Sequence, residues 1–421
     1  MEVTRQARAH VARLDLSTAQ VAVLDGQAHA ARALWNLLHE YVTFRQGRLA
    51  TVKECDTAIR AARREIDWMG QLPAQAAQAV LKTYRQAWAN FFDPGHPAKR
   101  PTFKARFRSR PAVDVPQARD LNITRLNRRW GAVNLPKVGR VRFRWTRDLP
   151  GVTRGGPAGR ITGARLVKQA DGWHIVFRTE RQVPAPAAHP GERVGIDRGI
   201  TVALALSDGT MREHGPWLRD GEKQRLRRLE KKSARQRRTR VPGRPASRRL
   251  ARTYDRIARL RATAKRRAVD WQHQTTTELA RTFGVVVVED LTITNMVRSA
   301  TGTIDNPGRN VRQKAGLNRA ITGQAWGRTV TLLEYKTRDR GGLVVKVPAP
   351  GTSQTCHRCG HRDPAARDGT RFSCVNPACG WAGHADINAA INIRNAAGTA
   401  VSGRGDLGAA RSAKRQPPRA A

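Results

Sequence analysis

Acidic side chains are scarce in this sequence: 33 Asp and Glu stand against 78 Lys and Arg in 421 residues, a formal net charge of +45. Long apolar runs are missing too. The longest, counting glycine, is the six residues from Phe283 to Val288, far short of the roughly 20 needed to cross a bilayer. No membrane partner is expected. The opening residues MEVTRQARAH hold no apolar stretch, so no secretory signal is expected either. Cysteine is sparse, with five residues, four of them clustered late in the chain. That is no disulfide framework, and in a reducing compartment such a cluster more often binds metal. What is present bounds the rest. The length suits two to four domains, and a hydrophobic content of 39% excludes wholesale disorder. A surplus of this size repels itself unless a polyanion answers it. Nucleic acid is the expected partner.

Periodicity divides the chain. Residues 3–14 alternate as a strand, and 17–45 repeat Val21, Leu24, Ala28, Ala31, Leu34, Leu37 and Leu38 at helical spacing. Helices follow at about 51–67 and 74–92. Short β-like pieces fill 102–182, spaced by Gly and Pro as in a small barrel. The Pro/Ala stretch 183–190 reads as a linker, followed by the strand pair RVGIDRGI and TVALALSDG. Residues 218–267 hold 21 Lys and Arg against 4 acids. Arg225, Arg228, Lys232 and Arg235 fall near one helical face there, a candidate nucleic-acid contact, and PGRP at 242–245 is expected to break the block into a hairpin. A buried-type strand (284–290), an irregular segment (299–310), a helix (about 318–338), the strand LVVKVP and a short helix from Asp386 complete the pattern. The basic tail 398–421 reads as disordered.

Two features carry chemistry. Cys356 and Cys359 form C-x2-C, Cys374 and Cys379 form C-x4-C, and fourteen residues separate the pairs. Two such knuckles make a closed tetrahedral site, so one structural Zn²⁺ is expected rather than a catalytic metal. Gly360 and Gly380 follow the second cysteine of each knuckle, where a tight turn calls for positive φ. His357, His361 and His384 are read as surface or phosphate-contacting residues. The isolated Cys55, and Trp35, Trp88 and Trp271, are read as core. The second feature is three acids. Asp197 ends one strand on the face of Gly195, Glu289 ends another, and Asp386 opens a helix whose Ala389 and Ala390 permit close packing onto a sheet. Singly, these are a turn residue, a surface charge and an N-cap. Together they would repel one another unless Mg²⁺ sat between them, and a pair of such ions suits in-line phosphodiester displacement.

VGIDRGI, VVVVEDLTITNM, TSQTCHRCGH with RFSCVNPACG, and ADINAAINI resemble the split RuvC motifs and zinc ribbon of the TnpB proteins. These are the OrfB-type, transposon-encoded RNA-guided nucleases. LPAQAAQAVLKTYRQAWANFF, PTFKARFRS, LPKVGRVRFRW and GWHIVFRTE are similar to that family's N-terminal half. The resemblance implies an α/β multidomain protein. Its parts would be a wedge-like β-barrel (1–15 and 98–182), a helical recognition lobe (16–97) and an RNase H-like RuvC domain (191–351 and 383–397). The RuvC domain would carry an arginine-rich helical insert (218–280) and a zinc ribbon (352–382). Asp197, Glu289 and Asp386 would be catalytic acids holding Mg²⁺, with guide RNA and target double-stranded DNA as partners. The implied setting is the prokaryotic cytoplasm, at the nucleoid when acting. His384 departs from the pattern, since many members have an acid there. Three alternatives remain at this point: a nuclease-silent RNA-guided repressor, a compact type V CRISPR effector, and a transposase acting without RNA.

Overall fold

The computed structural model describes residues 3–43, 50–106, 108–239, 246–303 and 306–397. The expected PGRP break and the basic tail lie outside the described residues. The chain is α/β and divides into two compact units, residues 1–185 with 245–262, and residues 186–244 with 263–421.

The first unit combines β1 (Val3–Asp15), α1 (Thr18–Thr43), α2 (Val52–Glu65), α3 (Ala74–Phe92) and six further strands. These are β2 (Ala112–Val115), β3 (Thr124–Arg125), β4 (Trp130–Leu135), β5 (Gly139–Arg144), β6 (Arg160–Gln169) and β7 (Gly172–Pro184). They form one antiparallel ladder in the order β2-β6-β7-β1-β5-β4-β3. β1 pairs with β7 from Val3↔Pro184 to Arg13↔His174, and then its last residues, Leu14 and Asp15, move to β5. Among the described residues the end strands β2 and β3 do not pair with each other, so no ladder there closes the barrel expected from the spacing. Alternation along β7 buries Trp173, Ile175 and Phe177, which share a core with Phe143, with Leu24, Leu34 and Leu38 of α1, and with Tyr84 of α3. Each buried Leu, Ile and Phe among them contributes about 1.5–3 kcal/mol. Cys55, Trp35 and Trp88 belong to the same core. Thr51 begins α2 with a reciprocal capping box to Glu54.

The second unit holds β8 (Arg193–Asp197), β9 (Leu204–Leu206), β10 (Met211–Arg212), α4 (Asp220–Arg238), the later part of α5 (Arg248–Thr282), β11 (Val285–Glu289), α6 (Ile293–Met296), α7 (Val311–Gln324), α8 (Trp326–Arg338) and β12 (Leu343–Val347). The sheet order is β10-β9-β8-β11-β12. β8, β11 and β12 run parallel, and β9 is antiparallel to β8. The uninterrupted valines of β11 follow from burial on both faces. Val286 and Val288 pack with Val194, Ile196, Leu279 of α5 and Leu333 of α8, whereas Val287 packs on the opposite face with Ile393.

The single helix expected at about 318–338 is instead two. Ala325 adopts a left-handed conformation (φ 50°, ψ 42°) between α7 and α8. The Gln324 side chain, fixed between the Ile200 carbonyl and His214, holds the bend. Alanine otherwise favours an unbroken helix, so local propensity gives no sign of it.

The last part of the second unit is a small three-stranded sheet, β13 (Arg367–Asp368), β14 (Arg371–Ser373) and β15 (Ala382–His384), running directly into α9 (Ala385–Ala396).

Candidate active site and metal centre

α9 lies against the middle of the five-stranded sheet, on β9, β8 and β11. A Cβ on Gly195 would overlap the Ala390 carbonyl oxygen, so glycine in β8 lets the helix backbone touch the strand. Ala389, Ala390 and Ile393 are buried there. The helix therefore covers the face to which Gly195 and Val287 point, and alternation puts Asp197 and Glu289 on the same face. β8 and β11 pair in register up to Ile196↔Val288. The two acids come one residue later, side by side at the carboxyl ends of adjacent parallel strands.

Asp386 enters from the first turn of α9, where the helix dipole favours a carboxylate. Its backbone N–H donates to Nδ1 of His384, 3.2 Å away, so that histidine caps the helix. Asp386 is buried, and its Oδ1 accepts from the Arg367 guanidinium of β13 at 2.8 Å. Glu289 is half-buried. Its Oε1 accepts from the Thr352 hydroxyl at 2.6 Å, and its backbone carbonyl accepts from the buried Arg198. Burial, with the charges of Glu289 and then Asp386, lifts the Asp197 carboxyl from 3.8 to about 7, against the pull of Arg367. The three acids thus share one electrostatic neighbourhood. Among the described residues they do not form a close cluster as the cysteines do; Glu289 is bonded to Thr352 and Asp386 to Arg367. The donor set is all carboxylate oxygen, some of it withheld from water, and this hard, anionic chemistry fits Mg²⁺.

The four cysteines converge closely. Their Sγ atoms all lie within 4.8 Å of one another, with Cys359–Cys374 at 3.6 Å and Cys356–Cys379 at 3.8 Å, and none is in a disulfide. Four sulfurs about 2.3 Å from a tetrahedral centre would stand about 3.8 Å apart. The cluster fits Zn²⁺. Gly360 and Gly380 have φ of 76° and 57°, the left-handed turns the knuckles require. The histidine expectation needs correcting. His357 is half-buried, its ring packed on Trp381 and hydrogen-bonded to Asn388 at 3.0 Å. With His384 capping α9, two of the three histidines serve structure rather than surface or phosphate contact.

Arg225, Arg228, Lys232 and Arg235 lie along α4, whose Leu229 and Ser233 are buried, and their side chains reach solvent. None of the four pairs with a carboxylate among the described residues. Glu222, one turn into α4, is instead engaged by Arg267 at 2.6 Å. Trp271 is half-buried against His214 and Trp217.

Residues 176–300 match the family described as "Probable transposase", and residues 326–393 match "Cas12f1-like, TNB domain". "Putative RNA-guided DNA endonuclease InsQ" of Escherichia coli is 34% identical over 82% of this chain and 79% of its own length. The chain belongs to this OrfB-type TnpB family. A Streptomyces pristinaespiralis relative, "Putative RNA-guided DNA endonuclease", is 29% identical over 81% of this TnpB chain and 76% of its own length. A solved Cas12f1–sgRNA–target DNA complex aligns over 90% of this chain and 83% of that one, at 14% identity and a TM-score of 0.49, too loosely to add to the TnpB assignment.

Sequence reasoning missed Thr352, Arg367, Asn388 and Asn392. Thr352 lies four residues before Cys356, and the two asparagines sit four apart on α9. Those spacings were the available signals.

Proposed function

We propose that this TnpB protein is an RNA-guided DNA endonuclease, and that Asp197, Glu289 and Asp386 are its catalytic acids. The observation that carries the assignment is positional: Asp197 and Glu289 end adjacent parallel strands on the face that α9 covers, and Asp386 enters from the first turn of that helix. Burial and then the charges of Glu289 and Asp386 raise the Asp197 pKa. The names of its relatives supply the nucleic-acid half of the reading.

In this reading the mixed five-stranded sheet with α9 is an RNase H-like RuvC domain and residues 352–382 are its zinc ribbon. Residues 1–15 and 98–182 form the wedge-like part, and 16–97 the recognition lobe. Guide RNA pairs with the target strand, while the protein reads a short adjacent duplex motif and holds the backbone. Asp197 and Glu289 would hold two Mg²⁺ ions, with Asp386 completing the ligand set. Bound there, Mg²⁺ supplies electrostatic stabilisation to the attacking and leaving oxygens of in-line hydrolysis. Asp197 gives up its proton to take part. Arg367 offsets the charge of Asp386, and Arg198 fixes the backbone of β11 at Glu289. Water adds to phosphorus and the P–O3′ bond breaks, leaving a 5′-phosphate and a 3′-hydroxyl. Arg225, Arg228, Lys232 and Arg235 would contact phosphates.

The test begins with sequencing the RNA that co-purifies with the protein, followed by incubation of the complex with matched duplex DNA and Mg²⁺. Guide-dependent cutting is expected, and its loss in Asp197→Ala with RNA still bound. Normal cutting by that variant would remove the catalytic assignment.

A further inference from the structure

We infer that Thr352 is a positioning residue that sets the metal affinity of the active site, held in place by Asn388 and Asn392 of α9. The inference rests on the assignment of Glu289 and Asp386 as metal ligands and goes beyond it to residues outside the acid set.

Thr352 has one hydroxyl proton and two acceptors within reach, Glu289 Oε1 at 2.6 Å and the Ala349 carbonyl at 3.1 Å. The shorter, charge-assisted bond to the carboxylate is the stronger. It occupies one glutamate oxygen and leaves the other free for a cation. A free glutamate side chain loses rotamer freedom when a metal fixes it. The tether meets that cost in advance.

A hydroxyl positions a carboxylate only if its own backbone is fixed, and α9 fixes it. Asn392 Nδ2 donates to the carbonyls of Thr352 (2.9 Å) and Thr355 (2.6 Å). Asn388 Nδ2 donates to the Thr355 carbonyl at 2.8 Å, and its Oδ1 accepts from the His357 N–H at 3.0 Å. Asn388 is fully buried. Both its amide oxygen and its amide nitrogen have partners, so the arrangement meets the demand that buried polar groups be paired. Asn388 and Asn392 are neighbours on one face of the helix that begins with Asp386. Residues 352–357 thus form a strap. One end grips Glu289 on β11, its middle is bonded to the helix bearing Asp386, and its far end carries Cys356 of the cysteine cluster. Two carboxylates from elements far apart in sequence are set relative to each other by one short segment.

Residues that orient a metal ligand typically change metal affinity or activity by about 10–100-fold when altered. The decisive variants are Thr352→Val, which removes the hydroxyl at nearly constant shape, and Thr352→Ser, which restores it. Full-length protein with its co-purified RNA is titrated with Mg²⁺ by calorimetry, with the Asp197→Ala complex titrated alongside and subtracted as the RNA background, and, separately, by cutting of matched DNA. Zinc content and RNA content are measured on the same samples. Thr352→Val is expected to shift both Mg²⁺ midpoints up by about 10–100-fold, with zinc and RNA unchanged and with cutting recovering at saturating Mg²⁺. Thr352→Ser is expected to return the midpoints to within a few-fold of wild type. Unchanged midpoints in Thr352→Val would overturn the inference. So would equal impairment of Val and Ser, or loss of zinc alongside, since Thr352 would then merely stabilise the fold. Failure of the underlying assignment has another signature: the wild-type complex would take up no more Mg²⁺ than the Asp197→Ala complex and cut no differently from it, and both proposals would fall together.

Discussion

Asp197 keeps its proton close to neutrality, and that has a thermodynamic consequence separate from catalysis. Its folded pKa, about 7, lies above the ordinary 3.8 because burial and then the charges of Glu289 and Asp386 disfavour ionisation. Between those two values the folded chain binds more protons than the unfolded one. Stability contributed by this group therefore falls as pH rises from about 4 to about 7, and the deficit persists above that window. Asparagine has the shape of the neutral acid and cannot ionise. Asp197→Asn should accordingly be more stable than wild type at pH 8 in Mg²⁺-free buffer, by about 1–3 kcal/mol after allowance for solvent screening. The difference should shrink towards pH 4. Urea unfolding of both proteins across that range measures it. A variant equally stable at pH 8, or less stable, would mean that burial and the neighbouring carboxylates do not raise the Asp197 pKa. The same variant should not cut DNA, so gain in stability and loss of function would come from one atom change.

At the scale of the element, the site depends on how closely α9 approaches β8. Gly195 is the point of approach, and a methyl group there meets the backbone of Ala390 rather than a side chain that can rotate away. Gly195→Ala should push α9 off the sheet at Ala390 and Arg394, and shift Asp386 at its start with it. Overpacking of this kind costs about 1–3 kcal/mol. Since a displacement near 1 Å can cost about 10²-fold in rate, cutting should fall by at least that much while the cysteine cluster keeps its zinc. Thermal unfolding, zinc analysis and cleavage rates on one preparation decide this, and a fully active Gly195→Ala would show that the helix is not what positions Asp386. How much of this was visible in the sequence follows from the range of the signals. The valine run of β11, the cysteine spacings and the acids at strand ends are local patterns, and each fixed an element or a side chain direction. The bonds from Thr352 to Glu289 and from Arg367 to Asp386 join residues 63 and 19 positions apart, and no periodicity encodes such a pairing. The bend at Ala325 escaped for a related reason: the residues that hold it, Ile200 and His214, lie more than a hundred positions away from Gln324.

For the whole molecule the governing quantity is the net charge of +45. Any basic helix can look like a nucleic-acid face in such a chain, so exposure of Arg225, Arg228, Lys232 and Arg235 does not by itself distinguish a phosphate-binding face from a solvated surface. Salt dependence and stability together do. Each neutralised phosphate adds about 0.7 to 0.9 to the slope of log affinity against log salt. Replacing all four by Gln should make that slope less steep by up to about 3–4, with affinity near 0.1 M salt falling by up to roughly tenfold for each phosphate no longer neutralised. The same replacement removes like charges from a self-repelling molecule, so the RNA-free protein should become slightly more stable. Weaker binding and higher stability, from one set of substitutions and with the Mg²⁺ midpoint for cutting unmoved, is a combination that loss of fold cannot produce. An unchanged salt slope would assign α4 to solvent, and the polyanion would then have to be held by the arginines of α5 and the antiparallel ladder.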